Sequence, residues 1–306
     1  MTRGIYIVAN DKVIDNAIAL LNSIRYYDPE VKVFLVPFND QYHEVARELQ
    51  QRHGVEIFPD LDFVNSFTNK VGEIFDRDFL ALPNKMRKFV FWFGPLDEFL
   101  YIDTDIIVFE TIAQVLEHLQ EYEFLCCDYH HSGRGLIDVF AADIAEQGIF
   151  TETELEDVFN SGFWASRKGI FSEEQMYEML RECSAHREYF DFSHKTTDQP
   201  ILNYIVLKST SKRLNLVKLD PEEPGSWAGS PHFQEKEHIL YDGERRLKYL
   251  HWAGTPMKPG APYRELWEYY RYQGEEKPPQ ASLPEKKPSF LRKALRKVKN
   301  KLKNSS

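Results

Sequence analysis

The sequence has few cysteines and no long hydrophobic run. Cys126, Cys127 and Cys183 form an odd, poorly spaced set, which argues against a disulfide framework and favours a reducing compartment, so we expect three core or near-core thiols. No apolar stretch approaches the roughly 18 residues that a membrane-spanning helix needs. Residues 1–10 enter a strand pattern without a charged leader or cleavage site, so a cytoplasmic location is expected.

Positive charge is scarce over most of the chain. Nine of the 38 Lys and Arg residues lie in 286–306, which has no acidic residue, so 29 basic residues face 48 acidic ones elsewhere, a net charge of −19. This body lacks the broad basic surface that neutralises phosphates, and nucleic acid is excluded as a general partner. An anionic ligand must therefore meet a few local cations or a bound metal ion.

Strand and helix patterns alternate at the start of the chain. Buried-strand and helical patterns follow one another over 4–9, 14–24, 31–36, 40–52 and 55–58. The alternation predicts an α/β fold, a Rossmann-like parallel sheet covered by helices on both faces. Ligands of such sheets bind beyond the carboxyl ends of the strands, which makes Ala9, Asn10 and Asp11 candidates for a nucleotide site.

Later patterns are shorter and less regular. We predict helices over 84–93, 172–187 and 197–207, and strands over 99–102, 106–109, 123–127 and 159–165. Strand-rich patterns over 238–250 indicate a mixed, mainly parallel sheet. We expect one α/β domain over 1–273, a Pro-rich linker over 274–288 and a basic amphipathic tail over 289–306.

The tail has apolar residues at helical spacing among basic ones. Seven basic residues lie between Arg292 and Lys303, interleaved with Phe290, Leu291, Ala294, Leu295, Val298 and Leu302. A basic amphipathic helix of this kind binds anionic membrane surfaces, which predicts peripheral attachment to the inner face of a membrane through 286–306. The alternatives are a solubilising tail and a helix that folds back on the acidic body.

Three Asp-x-Asp motifs occur, at 60–62, 76–78 and 103–105, and only the third interrupts an apolar run. Carboxylates at a buried strand end carry a large desolvation cost unless a cation or strong donors compensate. A divalent metal ion, with diphosphate oxygens completing its shell, would compensate Asp103 and Asp105 and place Thr104 beside the donor. The alternatives are a structural carboxylate pair here and solvated loops at the other two copies.

A second candidate cluster lies in the segment from Leu250 to Pro259. The imidazole of His251 would add a nitrogen ligand, which shifts the preferred metal from Mg²⁺ towards Mn²⁺. Gly254 and Lys258 follow, and the ammonium of Lys258 could offset charge on a diphosphate leaving group. The alternative for His251 is an ordinary core or surface histidine.

A third cluster pairs the segment Asn160, Ser161 and Gly162 with Asp198 and Gln199. Gly162 would let a sugar ring approach the backbone closely, and Asn160 can bond sugar hydroxyls. Asp198 and Gln199 begin a predicted helix at its positive end, where polar groups can face a reacting sugar. The alternative for Asp198 is a carboxylate that only stabilises the N-terminus of the helix.

These segments, in this order, resemble the metal-dependent GT-A glycosyltransferases, and among them the retaining group that contains glycogenin and bacterial lipopolysaccharide galactosyltransferases. The similarity covers roughly residues 4 to 260. It implies that Ala9, Asn10 and Asp11 bind uridine, that Asp103, Asp105 and His251 bind Mn²⁺, and that Lys258 reaches the diphosphate. The family also has a basic residue before the acidic triplet, for which Lys85 is the first choice and Arg87 or Lys88 the reserve.

The resemblance predicts the reaction. A sugar moves from a nucleotide sugar, with UDP as the expected nucleotide, to a glycan, lipid-linked or other acceptor hydroxyl with retention of configuration. Gln199 would face the anomeric carbon, Asp198 would orient the sugar, and Mn²⁺, or Mg²⁺ as second choice, would be the cofactor; in an inverting reaction Asp198 is the first candidate for the base.

Three departures from the family pattern affect the donor sugar. Pro200 stands where the family commonly has Asp, the segment from Gly254 to Lys258 is one residue longer than usual, and Gly260 replaces an aromatic residue. Two rival functions remain: a sugar nucleotidyltransferase, although Val8 to Val13 is no Gly-rich phosphate loop, and a non-catalytic protein that binds nucleotide sugars or glycans.

Overall fold

The structure is a computed structural model that describes residues 1–127, 139–193, 197–220 and 223–277. Its strands are β1 (Arg3–Ala9), β2 (Val33–Pro37), β3 (Glu56–Ile57), β4 (Glu98–Ile102), β5 (Ile106–Val108), β6 (Phe124–Cys126), β7 (Phe163–Arg167), β8 (Arg213–Asn215), β9 (Gln234–Lys236), β10 (Ile239–Asp242), β11 (Arg245–Arg246) and β12 (Tyr249–His251). Its α-helices are α1 (Ile14–Tyr27), α2 (His43–His53), α3 (Leu61–Ile74), α4 (Glu152–Leu155), α5 (Glu173–Ala185), α6 (Asp198–Ser209) and α7 (Arg264–Arg271). Short 3₁₀ helices include 11–13, 83–93 and 113–120.

The main sheet has seven strands in the order β3-β2-β1-β4-β7-β6-β8. The first four are parallel, β7 runs antiparallel to both β4 and β6, and β6 is parallel to β8. The predicted mixed, mainly parallel sheet with flanking helices is therefore confirmed. Two small antiparallel sheets, β9-β10-β11 and β5-β12, stand beside it.

The two faces of the sheet bury different side chains, because alternate residues of a strand point to opposite faces. In β4, Phe99 and Tyr101 join an aromatic cluster, whereas Leu100 and Ile102 join an aliphatic one. The aromatic face packs against the 83–93 helix, and the aliphatic face packs against α1 and α2. Cys126, Cys127 and Cys183 are buried and form no disulfide, as predicted.

The predicted helix over 84–93 is a 3₁₀ helix over 83–93 that starts at Pro83 and ends before Gly94. Three residues per turn place residues i and i+3 on the same edge, so Lys85 and Lys88 share one edge. Arg87 points elsewhere: its buried guanidinium donates to the carbonyl oxygen of Pro37 (2.6 Å) and to Thr68 Oγ1 (3.0 Å). These bonds attach the 83–93 helix to the end of β2 and to α3.

Two sequence expectations were wrong. The first Asp-x-Asp motif is not a solvated loop, because Asp60 is the N-cap of α3 and its Oδ1 accepts from the amide of Phe63 at 2.8 Å. The strand expected over 159–165 begins only at Phe163. Its start is delayed because Asn160 Oδ1 accepts from the amide of Gly162 (3.0 Å) and bends the chain there.

The chain divides into two units, Met1–Gln273 and Gly274–Ser306, and all the elements named above belong to the first. The predicted tail over 289–306 and most of the predicted linker over 274–288 lie outside the described residues. Among the helices that the structure describes, none is long and apolar enough to cross a membrane.

Candidate metal and donor site

The pairing of β5 with β12 brings together residues from distant parts of the chain. His251 lies opposite Ile106, the residue after Asp105, and the amide of Trp252 donates to the carbonyl oxygen of Asp105 (3.0 Å). His251 Nε2 is consequently 3.2 Å from Asp105 Oδ1 and 3.8 Å from Asp103 Oδ2. The three side chains offer ligand atoms that all lie within 4.8 Å of one another.

Asp103 is fixed by its neighbours on both sides. Tyr101 lies two residues earlier on the same face and donates its hydroxyl to Asp103 Oδ1. The amide of Asp103 donates to the carbonyl oxygen of Gly162 (2.8 Å), which joins the end of β4 to the start of β7. The orientation of the carboxylate is therefore set by the main sheet itself.

Gly162 lies next to this cluster, in close contact with two of its side chains. A Cβ atom on Gly162 would be 2.4 Å from His251 Cε1 and 2.8 Å from Asp103 Oδ2, both far inside contact distance. The sequence suggested that this glycine leaves space for a sugar ring. In the structure, the space beside Gly162 is taken by two of the candidate metal ligands.

The pKa shifts in the cluster indicate that its buried carboxylates need positive charge nearby. Burial raises the pKa of Asp103 despite the opposing field of Lys88. Burial would lower the pKa of His251, but its bond to Asp105 and the charges of both carboxylates raise it. Burial also opposes ionisation of Asp105, yet the bond and charge of His251 hold its pKa below the usual value.

This ligand set fits a divalent ion. Carboxylate oxygens suit the hard ions Mg²⁺ and Mn²⁺, and an imidazole nitrogen favours the transition metal of the two. A divalent ion here would supply positive charge to both carboxylates. Three protein ligands also leave coordination positions for the oxygens of a bound anion.

The cluster opens into a cavity of about 770 Å³ at the carboxyl ends of β1 and β4. Its walls are formed by the residues Val8, Ala9, Asn10, Lys12, Val13, Asn16, Phe38, Lys85, Lys88, Tyr101, Asp103, Thr104, Asp105, Asn160, Ser161, Thr197, Asp198, Gln199, His251, Ala253 and Gly254. A volume of this size suits a small organic ligand, and this location is where ligands of open α/β sheets bind.

A buried ion pair forms another part of the cavity wall. Lys88 Nζ is 2.6 Å from Asp198 Oδ2 and 4.7 Å from the ring centre of Tyr101, and both charged side chains are less than 10% exposed. Burial acts against both charges, but Asp198 and Asp103 raise the pKa of Lys88, and Lys88 lowers the pKa of Asp198. The pair is therefore ionised, and it places a fixed positive charge near Asp103.

The start of α6 is tied to the 159–162 segment. Ser161 Oγ donates to Asp198 Oδ2 (3.1 Å), and the amide of Ser161 donates to Gln199 Oε1 (3.1 Å). One turn later, the side chain of Asn203 bonds both the amide and the carbonyl of Phe159. These bonds hold Asp198 and Gln199 at the cavity wall in a set orientation.

Most of the sequence-predicted site residues line the cavity, whereas Asp11, Lys258 and Gly162 are absent from its walls. Asp11 Oδ1 accepts from the amide of Val45 (2.8 Å) at the start of α2. Lys258 is exposed in the segment that follows Gly254. Among the three basic candidates near 85–88, Lys88 faces the carboxylates, Lys85 lines the cavity, and Arg87 makes the buried contacts described above.

Tyr101, Lys12 and Asn16 also line the cavity, although they are not among the residues predicted from the sequence. A signal for Tyr101 was available, since it precedes Asp103 by two residues in a strand pattern and must share its face. For Lys12 and Asn16, the periodicity of α1 gives no such indication, because Lys12 precedes the helix and Asn16 is a polar residue of its first turn.

No family model and no curated protein matches the chain. Among solved structures, it is similar to the bifunctional glycosyltransferase WbbM (TM-score 0.60, 16% identity), with 89% of this chain and 50% of WbbM covered, so it spans about half of that protein. It is also similar to the galactosyltransferase LgtC in complex with donor and acceptor sugar analogues (TM-score 0.58, 13% identity), with 90% of this chain and 98% of LgtC covered. The chain has the GT-A-like fold of these glycosyltransferases. A third similar structure is the glycosyltransferase GlyE of Streptococcus pneumoniae TIGR4 (TM-score 0.50, 15% identity; 89% of this chain, 60% of GlyE).

Gly162→Ala should weaken metal binding without unfolding the protein. The new methyl group would displace His251 or Asp103, and we expect the Mn²⁺ affinity measured by isothermal titration calorimetry to fall by about tenfold or more. Gly72→Ala is the matched control, because its Cβ would lie 3.7 Å from the nearest side-chain atom. Equal Mn²⁺ affinity in Gly162→Ala and the unaltered protein would contradict the assigned ligand set.

Replacing one partner of the Lys88–Asp198 pair should lower the free energy of unfolding more than replacing both. Lys88→Met leaves a buried carboxylate uncompensated, for which we expect a fall of about 3–5 kcal/mol in the free energy of unfolding by urea. The double variant Lys88→Met with Asp198→Asn should recover much of it. Arg245→Met is the control, since Arg245 and Asp220 lie 2.7 Å apart but are more than 40% exposed, and we expect a loss of less than about 1 kcal/mol. A single-variant loss as small as this control would argue against a buried ionised pair.

Proposed function

We propose that the chain is a metal-dependent glycosyltransferase that moves a sugar from a nucleotide sugar to an acceptor hydroxyl. The observation that carries the proposal is the cluster of Asp103, Asp105 and His251, which shares one cavity with the Lys88–Asp198 pair and the end of β1. The GT-A-like fold supports it. UDP is the proposed nucleotide and Mn²⁺ the proposed ion, with Mg²⁺ as second choice.

In the proposed reaction, the bond from the anomeric carbon to the diphosphate oxygen breaks and a bond to the acceptor oxygen forms. The nucleoside diphosphate departs and takes up the proton that the acceptor hydroxyl loses. A divalent ion held by Asp103, Asp105 and His251 would act as a Lewis acid on the diphosphate. Lys85 and Lys88 would add positive charge on the same side, and Lys258 would approach from the exposed segment after Gly254.

Retention of configuration is the proposed stereochemical course. An inverting reaction needs a base, and Asp198 is poorly suited because Lys88 and Ser161 bond its carboxylate and its pKa is lowered. Gln199 is proposed to face the anomeric carbon, since its amide is oriented by the bond to Ser161. A solved LgtC variant carries a substitution of an active-site glutamine, which is in keeping with that role.

The other cavity residues are proposed to bind the donor. Ala9 and Asn10 would meet the nucleoside at the end of β1, with Asp11 supporting them through its bond to the start of α2. Thr104 and Gly254 would meet the diphosphate. Asn160 and Ser161 would bond hydroxyls of the transferred sugar, behind which Gly162 keeps the metal ligands in place.

Incubation of the protein with Mn²⁺ and a panel of nucleotide sugars tests the proposal through free nucleotide released by slow hydrolysis. We expect one donor to be turned over, and Asp105→Ala to reduce the rate by about 100-fold or more. Asp78→Ala, in the exposed Asp-x-Asp motif at 76–78, is the matched control and should leave the rate unchanged.

Absence of both turnover and binding for every donor would overturn the proposal, as would unchanged turnover in Asp105→Ala. Formation of a nucleotide sugar with release of pyrophosphate would instead favour a nucleotidyltransferase. Donor binding without turnover, whatever acceptor is added, would favour a non-catalytic binding protein.

We further propose that residues 286–306, outside the described residues, attach the protein to an anionic membrane surface on the cytoplasmic side, where a carbohydrate or lipid-linked acceptor would be met. Nine basic residues near such a surface, each contributing about 1 kcal/mol, suffice for reversible attachment. The full chain should sediment with vesicles of phosphatidylglycerol and phosphatidylcholine, and a chain ending at residue 285 should not. Equal sedimentation of the two forms would contradict this proposal.

A further inference from the structure

The side chain of Trp227 is exposed to solvent beside the candidate metal centre. The chain has five tryptophans; four are at most 6% exposed, whereas Trp227 is 44% exposed. A single exposed aromatic residue is ordinary on a protein surface. Trp227 differs because its indole is fixed in place and because its backbone is paired with His251.

Two contacts fix the indole. Trp227 Nε1 donates to the carbonyl oxygen of Ala253 at 3.0 Å. The six-membered ring lies against Gly229, where a Cβ atom would be 2.4 Å from both Cζ2 and Cη2 of Trp227. The hydrogen bond of Nε1 and the contact with the Gly229 backbone therefore hold the ring, while almost half of its surface remains accessible to solvent.

The backbone around Trp227 forms a further rung beside β12. The amide of His251 donates to the carbonyl oxygen of Ser226 (2.7 Å), and the amide of Ala228 donates to the carbonyl oxygen of His251 (2.9 Å). Trp227 thus lies on the side of β12 opposite to β5, and its hydrogen-bond acceptor, Ala253, is part of the cavity wall. The indole is therefore hydrogen-bonded to a residue of the cavity wall.

The proposed nucleoside site is formed by other residues of the cavity. β5 is attached to α1, where the amide of Val108 donates to Ser23 Oγ (3.1 Å). Asn16 in the first turn of α1, and Asn10 and Lys12 just before that helix, line the cavity. Trp227 is not among the residues that line this part of the cavity. A ligand that stacks on Trp227 therefore contacts a residue outside the proposed nucleoside site.

We infer that Trp227 is a stacking platform for a pyranose ring of the acceptor, an inference that rests on the proposed glycosyltransferase activity. A pyranose has a face made largely of C–H groups, which packs on the face of an indole while its hydroxyl groups stay in water or meet polar side chains. A tryptophan with only two side-chain torsions, here restrained at both, loses little conformational entropy on binding. The acceptor class that fits is therefore a glycan or glycoside with an exposed pyranose, rather than an aliphatic or peptidic hydroxyl.

Acrylamide quenching of tryptophan fluorescence tests the inference, because Trp227 is the accessible tryptophan. The protein is first saturated with UDP and Mn²⁺, and then titrated with methyl β-D-glucopyranoside, methyl β-D-galactopyranoside or methyl α-D-mannopyranoside. At least one glycoside should lower the quenching slope in a saturable manner, while the acyclic polyol sorbitol should not. Trp227→Phe should lack most of the quenchable signal, which identifies the shielded residue.

Two variants then test the platform by saturation-transfer NMR with the same glycosides. Trp227→Ala should weaken the affinity for the shielding glycoside by about tenfold. Gly229→Ala should weaken it as well, because the new methyl group displaces the indole without removing it. Tyr26→Ala, which removes a 66% exposed aromatic residue on α1, should leave the affinity unchanged.

The inference is overturned if none of the glycosides shields Trp227, or if Trp227→Ala binds the shielding glycoside as tightly as the unaltered protein. Shielding by UDP and Mn²⁺ alone would also overturn it, since it would make Trp227 a nucleobase contact. Donor hydrolysis by the unaltered protein is measured in parallel. Turnover without shielding rejects the platform alone, whereas absence of donor turnover and binding rejects the proposed function.

Discussion

The charge of two carboxylates at the end of one buried strand determines how this site is built. Asp103 and Asp105 follow β4, where the sheet is otherwise apolar, and such groups are stable only if positive charge or strong donors reach them. Each neighbouring element meets part of that demand: β12 contributes His251, the 83–93 helix contributes Lys88, and β4 itself contributes the hydroxyl of Tyr101. The cavity is the space that these groups leave between them.

The division of the sheet into an aromatic and an aliphatic face bears directly on this arrangement. Tyr101 and Asp103 lie on the same side, so the aromatic layer leads straight to the carboxylate. The ammonium of Lys88 lies over the ring of Tyr101 and bonds Asp198, and thus links the aromatic layer to α6. Packing and electrostatics are therefore coupled, because a change in the layer beneath Tyr101 would move charged groups in the cavity above.

Local patterns in the sequence predicted much of the fold and part of the site. Apolar flanks selected Asp103 and Asp105 from three Asp-x-Asp motifs, and alternating strands and helices predicted the mainly parallel sheet. Helix α3 was missed because Asp60 was interpreted as a loop residue, although Val64, Phe67, Thr68 and Val71 have helical spacing and are buried. The choice among Lys85, Arg87 and Lys88 was out of reach, since it depends on a 3₁₀ rather than an α-helical turn and on contacts with residues 37, 68 and 198. The position of Trp227 beside the site was equally impossible to predict from the sequence, because it follows from pairing with His251, which no local pattern encodes.

The position of β12 has a consequence for the order in which the protein can mature during synthesis. The seven strands described for the main sheet lie before residue 216, whereas the candidate ligand His251 arrives on a strand that pairs with β5 and with the segment around Trp227, and not with the main sheet. The sheet can therefore close before the last ligand has left the ribosome. A nascent chain at that stage would carry Asp103 and Asp105 without their nitrogen partner, so the complete candidate metal site would form as one of the final steps of folding.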